Sequence, residues 1–345
     1  MKRRTVLGAG LGGLALSATA VSAQSRIPLS IVTDMPERAE GLARRVSAAS
    51  AGRIAISVRE APASDAPGFL DAAGSGRVDG FVAYEDAFIA DNPAYALFSA
   101  MPGGMSPSEC EGWCEVADGT FFRDILGEEH GVKTFAFGDD GPMPLWSKEP
   151  LRGLSSLTSA RIGTRGMGLQ AYREMGAGSV EDITQARARD LRRFDLIEGM
   201  SYSEMAEREL LGVFTHAVAP NAIRPMSTRA FGINLAKWQG MSPEDQTLLE
   251  RCVTAEHGAI RAKAKHDNAL TMRQVDGQVS SDAMPDDIWN AQIAAANALM
   301  GKMFDAGNTA ADAADAYLYF LADVAGWSEI GEVAYFNGRK EVLSQ

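Results

Sequence analysis

Cysteine is scarce in this 345-residue chain, with three residues at Cys110, Cys114 and Cys252. An odd number cannot all pair internally, and Cys110 and Cys114, four apart, would share a helix face in poor disulfide geometry. No further ligands follow at a familiar metal spacing, so all three are read as buried small apolar side chains. Histidine is almost as rare: His130, His216, His257 and His266 lack metal spacing and lie in polar or helical surroundings. Positive charge is deficient too, with 33 Lys and Arg against 45 Asp and Glu and a formal charge of −12. So acidic a chain is a poor partner for nucleic acid or an anionic membrane. There is no nucleophile elbow, no His-Glu-x-x-His, no phosphate loop and no Cys–His signature, and the expectation is a protein that is not an enzyme. No internal repeat and no low-complexity linker appears.

The apolar, Gly/Ala-rich run that follows Lys2-Arg3-Arg4 and ends near Ala20 is too short for a comfortable membrane span. With its basic start and the small residues Val21-Ser22-Ala23 before Gln24, it reads as an export signal over residues 1–23. The Arg3-Arg4 pair suggests the twin-arginine route to a periplasmic location. Gly8-Ala9-Gly10-Leu11-Gly12-Gly13 mimics a dinucleotide fingerprint but has no preceding strand, so it is a decoy. Removing the signal takes away three basic and no acidic side chains, moving the formal charge from −12 to −15. Roughly 320 residues remain, more than one core usually holds, and two lobes are the default.

After the signal the pattern alternates strand and helix. Leu29–Val32 reads as a strand, Asp34 as a helix cap before Pro36, and Ala39, Leu42, Val46 and Ala49 as one helix face that Gly52 stops. Ile54, Ile56 and Val58 alternate as a strand, a short helix spans Phe69 to Ser75, and Val78–Ala83 is a third strand. That alternation predicts a parallel, helix-covered sheet. Residues 84–107 read as a long connection at the strand ends, where open α/β sheets place ligand contacts. Val132–Phe137, Arg161–Gly163 and Ala230–Leu235 are further strands. From Pro243 to about Gln274 the chain reads as one long helix with Leu248, Cys252, Ile260 and Ala264 as a weak stripe, and helices follow over Asp286–Ala306 and Ala310–Val324.

The most informative stretch is residues 159–176, where a short strand ends in a glycine-rich turn and a helix begins at once. Arg161 and Arg165 bracket the turn. Free N–H groups at a helix start, with a guanidinium nearby, favour an anion such as a carboxylate.

The order of segments resembles a known family. Asp71-Ala-Ala-Gly-Ser-Gly-Arg-Val-Asp79, Asn92-Pro-Ala-Tyr-Ala-Leu-Phe-Ser-Ala-Met-Pro102, Leu157–Gly176 and Trp327-Ser-Glu-Ile-Gly-Glu332 are similar to segments of the solute-binding subunits of TRAP transporters, the DctP-type family. The resemblance runs from about Pro28 to Phe336 and is strongest to the branch that binds 2-oxo acids and other small monocarboxylates. It implies an α/β, two-lobed Venus-flytrap fold of the periplasmic-binding-protein kind, with a long inter-lobe helix and C-terminal helices. Lobe I would hold residues 26–142 and 228–270, and lobe II with the C-terminal helices residues 143–227 and 271–345. It further implies a receptor that captures a small organic acid and delivers it to membrane permease subunits. A homodimer stays open, and the rival reading is a ligand-poor paralog acting as a periplasmic sensor or interaction protein.

The resemblance also implies site residues, and the chain departs from the family at several. The family sets a carboxylate-binding arginine in a strand motif like Met-Arg-Ile-Pro-Gly. Aligning the glycines puts Gly163 at that position, whereas aligning the Arg-Ile dipeptide puts Arg161 there, and loop Arg165 is the candidate replacement. Tyr84-Glu85 stands for a tyrosine pair, and a carboxylate at Glu85 would repel an anionic ligand. Glu198-Gly199 keeps the carboxylate of a Glu-Trp pair and loses the indole. Trp146 falls in the segment that has lost the family's glutamine, and Arg224 replaces an acidic residue near the cleft. No cofactor is expected, with a cation at the ligand site as the open alternative. The candidate ligand-binding residues are thus Arg165, Tyr84, Glu198, Arg161, Arg224 and Trp146.

Overall fold

The computed structural model describes residues 26–343, so the export signal over 1–23 lies outside the described residues. The first strands form where expected. Strands β1 (Ile27–Thr33), β2 (Ile54–Glu60), β3 (Gly80–Tyr84) and β4 (Val132–Asp139) belong to one sheet. The chain then crosses to a second sheet for β5 (Leu145–Ser147), β6 (Arg161–Thr164), β7 (Ser179–Asp182), β8 (Leu196–Ile197) and β9 (His216–Ala219). It returns for β10 (Thr228–Asn234) in the first sheet and ends the strand order with β11 (Ser280–Ala283) in the second. The sheet orders are β2-β1-β3-β10-β4 and β11-β9-β5-β8-β6-β7. The molecule is therefore the expected two-lobed α/β fold.

The sheets are mixed, not parallel as predicted. β1 runs parallel to β2 and β3, but β10 inserts antiparallel between β3 and β4, and β5 is antiparallel to β8 and β9. The cause is connectivity: a strand that re-enters from the other lobe is not tied by a short βαβ crossover to either neighbour, so nothing imposes their direction on it.

The helix Pro36–Ala49 has Pro at its first turn and buries Ala39, Leu42 and Val46, one face at the three-to-four spacing. The long helix Pro243–Gln274 is capped by the Ser242 side chain, which accepts from Asp245 N–H at 3.2 Å. At ~1.5 Å per residue it reaches across both lobes, packing on β4 and helix Pro36–Ala49 in one and on helix Tyr202–Glu207 in the other. Its buried stripe is Leu249, Cys252, Val253 and Ile260, one step round from the expected Leu248 and Ala264.

Residues 84–107 differ most from expectation. Within them Tyr95–Phe98 is a buried helical turn, and Asn92 Oδ1 accepts from Ala94 N–H at 3.0 Å to start it. The segment builds core: Trp113 stacks on Phe98 at 5.0 Å, and Tyr317 meets it edge-on at 5.2 Å. Only the residues just after β3 reach the cleft.

Candidate functional site

The chain passes between the lobes at residues 140–144, 220–227 and through the long helix, and the first two passages lie side by side. Asn221 Nδ2 donates to Met143 O at 3.2 Å, Gln292 Nε2 donates to Asn221 Oδ1 at 3.0 Å, and Gln292 Oε1 accepts from Ala222 N–H at 3.0 Å. Asp139, at the end of β4, accepts from Ser227 N–H at 2.9 Å and Thr228 Oγ1 at 2.7 Å. These bonds satisfy backbone groups that the irregular passages would otherwise bury unpaired. They also fix where Asp140, Arg224, Ser227 and Arg229 stand.

Two cavities meet beside this junction. One, of about 550 Å³, is lined by Asp34, Arg38, Tyr84, Arg165, Glu204 and Arg229 among others. The other, of about 350 Å³, adds Asp86 and Gly166 and shares Asp34, Tyr84 and Arg165 with the first. Tyr84, at the end of β3, is held between two guanidiniums, with Arg165 3.7 Å and Arg229 4.2 Å from its ring centre. Its hydroxyl accepts from Arg229 Nη2 and has Asp140 Oδ2 at 3.0 Å and Glu204 Oε1 at 3.2 Å to donate to. Burial above all pushes the phenol pKa up, so the hydroxyl keeps its proton. The Glu204 contact joins the lobes.

Arg165 is 9 % exposed and Arg229 fully buried. Arg165 Nη2 donates to Ser227 Oγ at 2.8 Å, and its Nε stands 3.6 Å from Asp86 Oδ2 with no hydrogen-bond partner. Arg229 binds Asp140 and Tyr84 through Nη2, while its Nη1 has no partner. Burial would lower both guanidinium pKa values, but the carboxylates beside them, Asp86 and Glu204 for Arg165 and Asp140 for Arg229, outweigh it and both stay charged. Asp140 likewise resists the upward push of burial, because Arg229 and Arg38 hold its carboxyl well below the usual range.

Of the six predicted residues, Arg165 and Tyr84 line both cavities. Arg224 and Glu198 sit behind them, fully buried and paired at 2.7 Å (Nε to Oε1). Arg224 also reaches Asp86 at 3.3 Å and donates to Arg165 O at 2.9 Å, so it positions the loop and does not line either cavity. Glu198 Oε2 accepts from Thr164 Oγ1 and Arg224 Nη2, which leaves neither of its oxygens without a partner. Arg161 stands outside the cleft, exposed, with Glu181 3.9 Å away. Trp146 lies in the core of the second lobe, its Nε1 donating to Met200 O at 2.8 Å.

Four expectations about this region are corrected. Gly163 cannot be the place of a clamp, because a Cβ there would meet Ile183 Cγ2 at 2.6 Å and the Phe194 ring at 3.1 Å. The first N–H groups of helix Gly168–Glu174 are not free: those of Gly168, Leu169 and Gln170 bond to the carbonyls of Arg165, Gly166 and Met167. Glu85 turns into the core and pairs with Arg123, so it does not face a ligand; burial raises it to about 7. Asp34 makes no cap bond, since Met35 is the N-cap and Thr33 Oγ1 takes the Met35 N–H at 3.0 Å. Asp34, Asp86, Asp140, Glu204 and Arg229 were missed. Arg229, a charge within the apolar strand Thr-Arg-Ala-Phe-Gly-Ile-Asn, is the one with a visible signal.

No protein-family model matches the chain, and no curated protein matches it by sequence. Solved structures do. A TRAP periplasmic solute-binding protein from Colwellia psychrerythraea, with bound calcium and pyruvate, superposes at TM-score 0.85 with 16 % identity, covering 91 % of this chain and 100 % of that one. A TRAP transporter solute-binding protein from Bordetella bronchiseptica, a mixed-occupancy dimer with calcium and picolinate in its bound site, gives 0.84 and 16 %, covering 93 % and 99 %. One from Chromohalobacter salexigens, with bound (S)-2-amino-1-propanol, gives 0.73 and 17 %, covering 87 % and 97 %. The chain has the fold of the TRAP periplasmic solute-binding proteins.

Proposed function

We propose that this protein is an extracytoplasmic solute receptor of a TRAP-type transporter, holding a small carboxylate-bearing molecule between its lobes and passing it to a membrane permease. The observation that carries this reading is the pair of guanidiniums at the cavities, each with a buried nitrogen that has no partner. A buried donor left unbonded costs about 1–3 kcal/mol, and Arg165, which lines both cavities, is the guanidinium a ligand carboxylate would pair with. Such donors tell against the ligand-poor paralog. Binding without catalysis fits the shared fold. Periplasmic location rests on the export signal, and among the described residues no helix is long and apolar enough to cross a membrane.

The neighbours hold calcium in two cases, yet the residues here do not fit a cation at Glu198. Both its oxygens are bonded to Arg224 or Thr164, and among the described residues no three His, Cys, Asp or Glu side chains are grouped to hold a metal. A buried guanidinium already supplies the positive charge there. We assign the cation no part in binding.

A thermal-shift screen over monocarboxylates, dicarboxylates, oxo acids and amino acids tests the receptor. A true ligand at 100 times its Kd adds about 2.7 kcal/mol, a clear rise in Tm, and Arg165→Ala removes the rise. A panel in which no organic acid raises Tm would count decisively against it.

A further inference from the structure

We infer that the ligand is a small zwitterionic amino acid, whose ammonium is received by Asp34 while its carboxylate meets Arg165. This rests on the receptor reading and narrows it. Asp34 follows β1 and lines both cavities, next to the two arginines. Its Oδ1 is buried and unpartnered, and among the described residues no Lys or Arg lies within 4 Å of it. Local structure does not account for this carboxylate, because the helix that follows is not capped by it. The two cavities are thus lined by a carboxylate with an unpartnered oxygen, Asp34, and a guanidinium with an unpartnered nitrogen, Arg165.

That set discriminates among acids of one skeleton. A 2-oxo oxygen only accepts hydrogen bonds, so it would face the Asp34 oxygen acceptor to acceptor. A 2-hydroxyl donates one bond and brings no positive charge to the carboxylate. An ammonium donates and also supplies the opposite charge that Asp34 lacks. Net charge points the same way. The linings of the two cavities together carry seven acidic side chains against five arginines. A monoanion adds to that negative excess, whereas a zwitterion leaves it unchanged and gives Asp34 a partner. Burial, which raises the Asp34 pKa, is then offset by the arriving cation.

Isothermal titration of the purified protein with two matched series tests this. The first is alanine, lactate, pyruvate and propionate; the second is leucine, 2-hydroxy-4-methylpentanoate, 4-methyl-2-oxopentanoate and 4-methylpentanoate. In the skeleton that binds, the amino acid should bind at least tenfold tighter than its oxo acid, with the hydroxy acid between. Asp34→Asn should erase that preference without weakening the oxo acid. An oxo or unsubstituted acid that binds as tightly as its amino counterpart, in a manner lost in Arg165→Ala, overturns the zwitterion and leaves the receptor standing. If none of the eight binds, the small zwitterion falls, and the wider thermal-shift panel decides the receptor. The series on the unsubstituted protein decides even if Asp34→Asn does not fold.

Discussion

Arg224 and Glu198 are an ion pair without solvent, and each is tolerable only because the other is there. Replacing Glu198 with Gln keeps the volume and the Thr164 contact but leaves Arg224 to Asp86 alone, 3.3 Å away. Removing one partner of such a pair costs roughly 3–5 kcal/mol, so Glu198→Gln should lower Tm strongly in the absence of ligand. An unchanged Tm would mean that Asp86 suffices. His257 offers a pH test. Its Nδ1 accepts from Gly138 N–H at 2.8 Å, which requires the neutral ring, and burial pushes the pKa down to about 4 from the usual 6.5. The unfolded chain takes up a proton near 6.5 and the folded one only near 4. Stability from this group is therefore complete above 6.5 and is lost as pH falls through that window, by at most about 3 kcal/mol. Glu85, raised to about 7, contributes the opposite slope, losing stability as pH rises from its usual value to 7. The comparison of the parent with His257→Gln isolates the histidine: the variant's Tm should change less between pH 6.5 and 4. Equal slopes would remove His257 from the account. Arg165 and Tyr84 were legible as cavity-lining candidates because a loop arginine and a strand-end tyrosine stand out in their local sequence. Asp34 was not, because Asp before Pro is also what a helix cap looks like.

Elements were the most legible level. Ala39, Leu42 and Val46 mark their helix by spacing alone, and Ser242-Pro243 starts the long helix by local chemistry. What spacing could not show is which neighbour an element meets. The glycine in β6 is an example: nothing local requires it, but Ile183 and Phe194 fill the space where its side chain would be. Gly163→Ala should push β6 away from them and cost about 1–3 kcal/mol, the usual penalty for overpacking. Chemical denaturation reads this directly, and a change below half a kilocalorie would show that Phe194 moves aside at little cost. Gly168 is constrained in the same manner by Thr164 and Glu198, which links the turn at Arg165 to the buried pair behind it.

At the scale of the molecule, the last helices leave a row of large apolar side chains in solvent. Trp327 is 73 % exposed, Ile330 72 % and Tyr335 61 %, with Val333 and Phe336 between and beyond them. By itself the sequence determined the α/β alternation, the long helix, the acidic composition and, among the residues that line both cavities, pointed to Tyr84 and Arg165. Each follows from periodicity or composition, which act within a few residues of the chain. Only the tertiary structure decided the antiparallel entry of β10, the retreat of Glu198 and Arg224 behind the cleft, and the company of Asp34, Arg165 and Arg229. These depend on passages at residues 140–144 and 220–227 that bring positions almost 200 apart within reach of one ligand. Local spacing carries no information about such closures, because the energy that fixes them comes from charge pairing and packing across the two lobes.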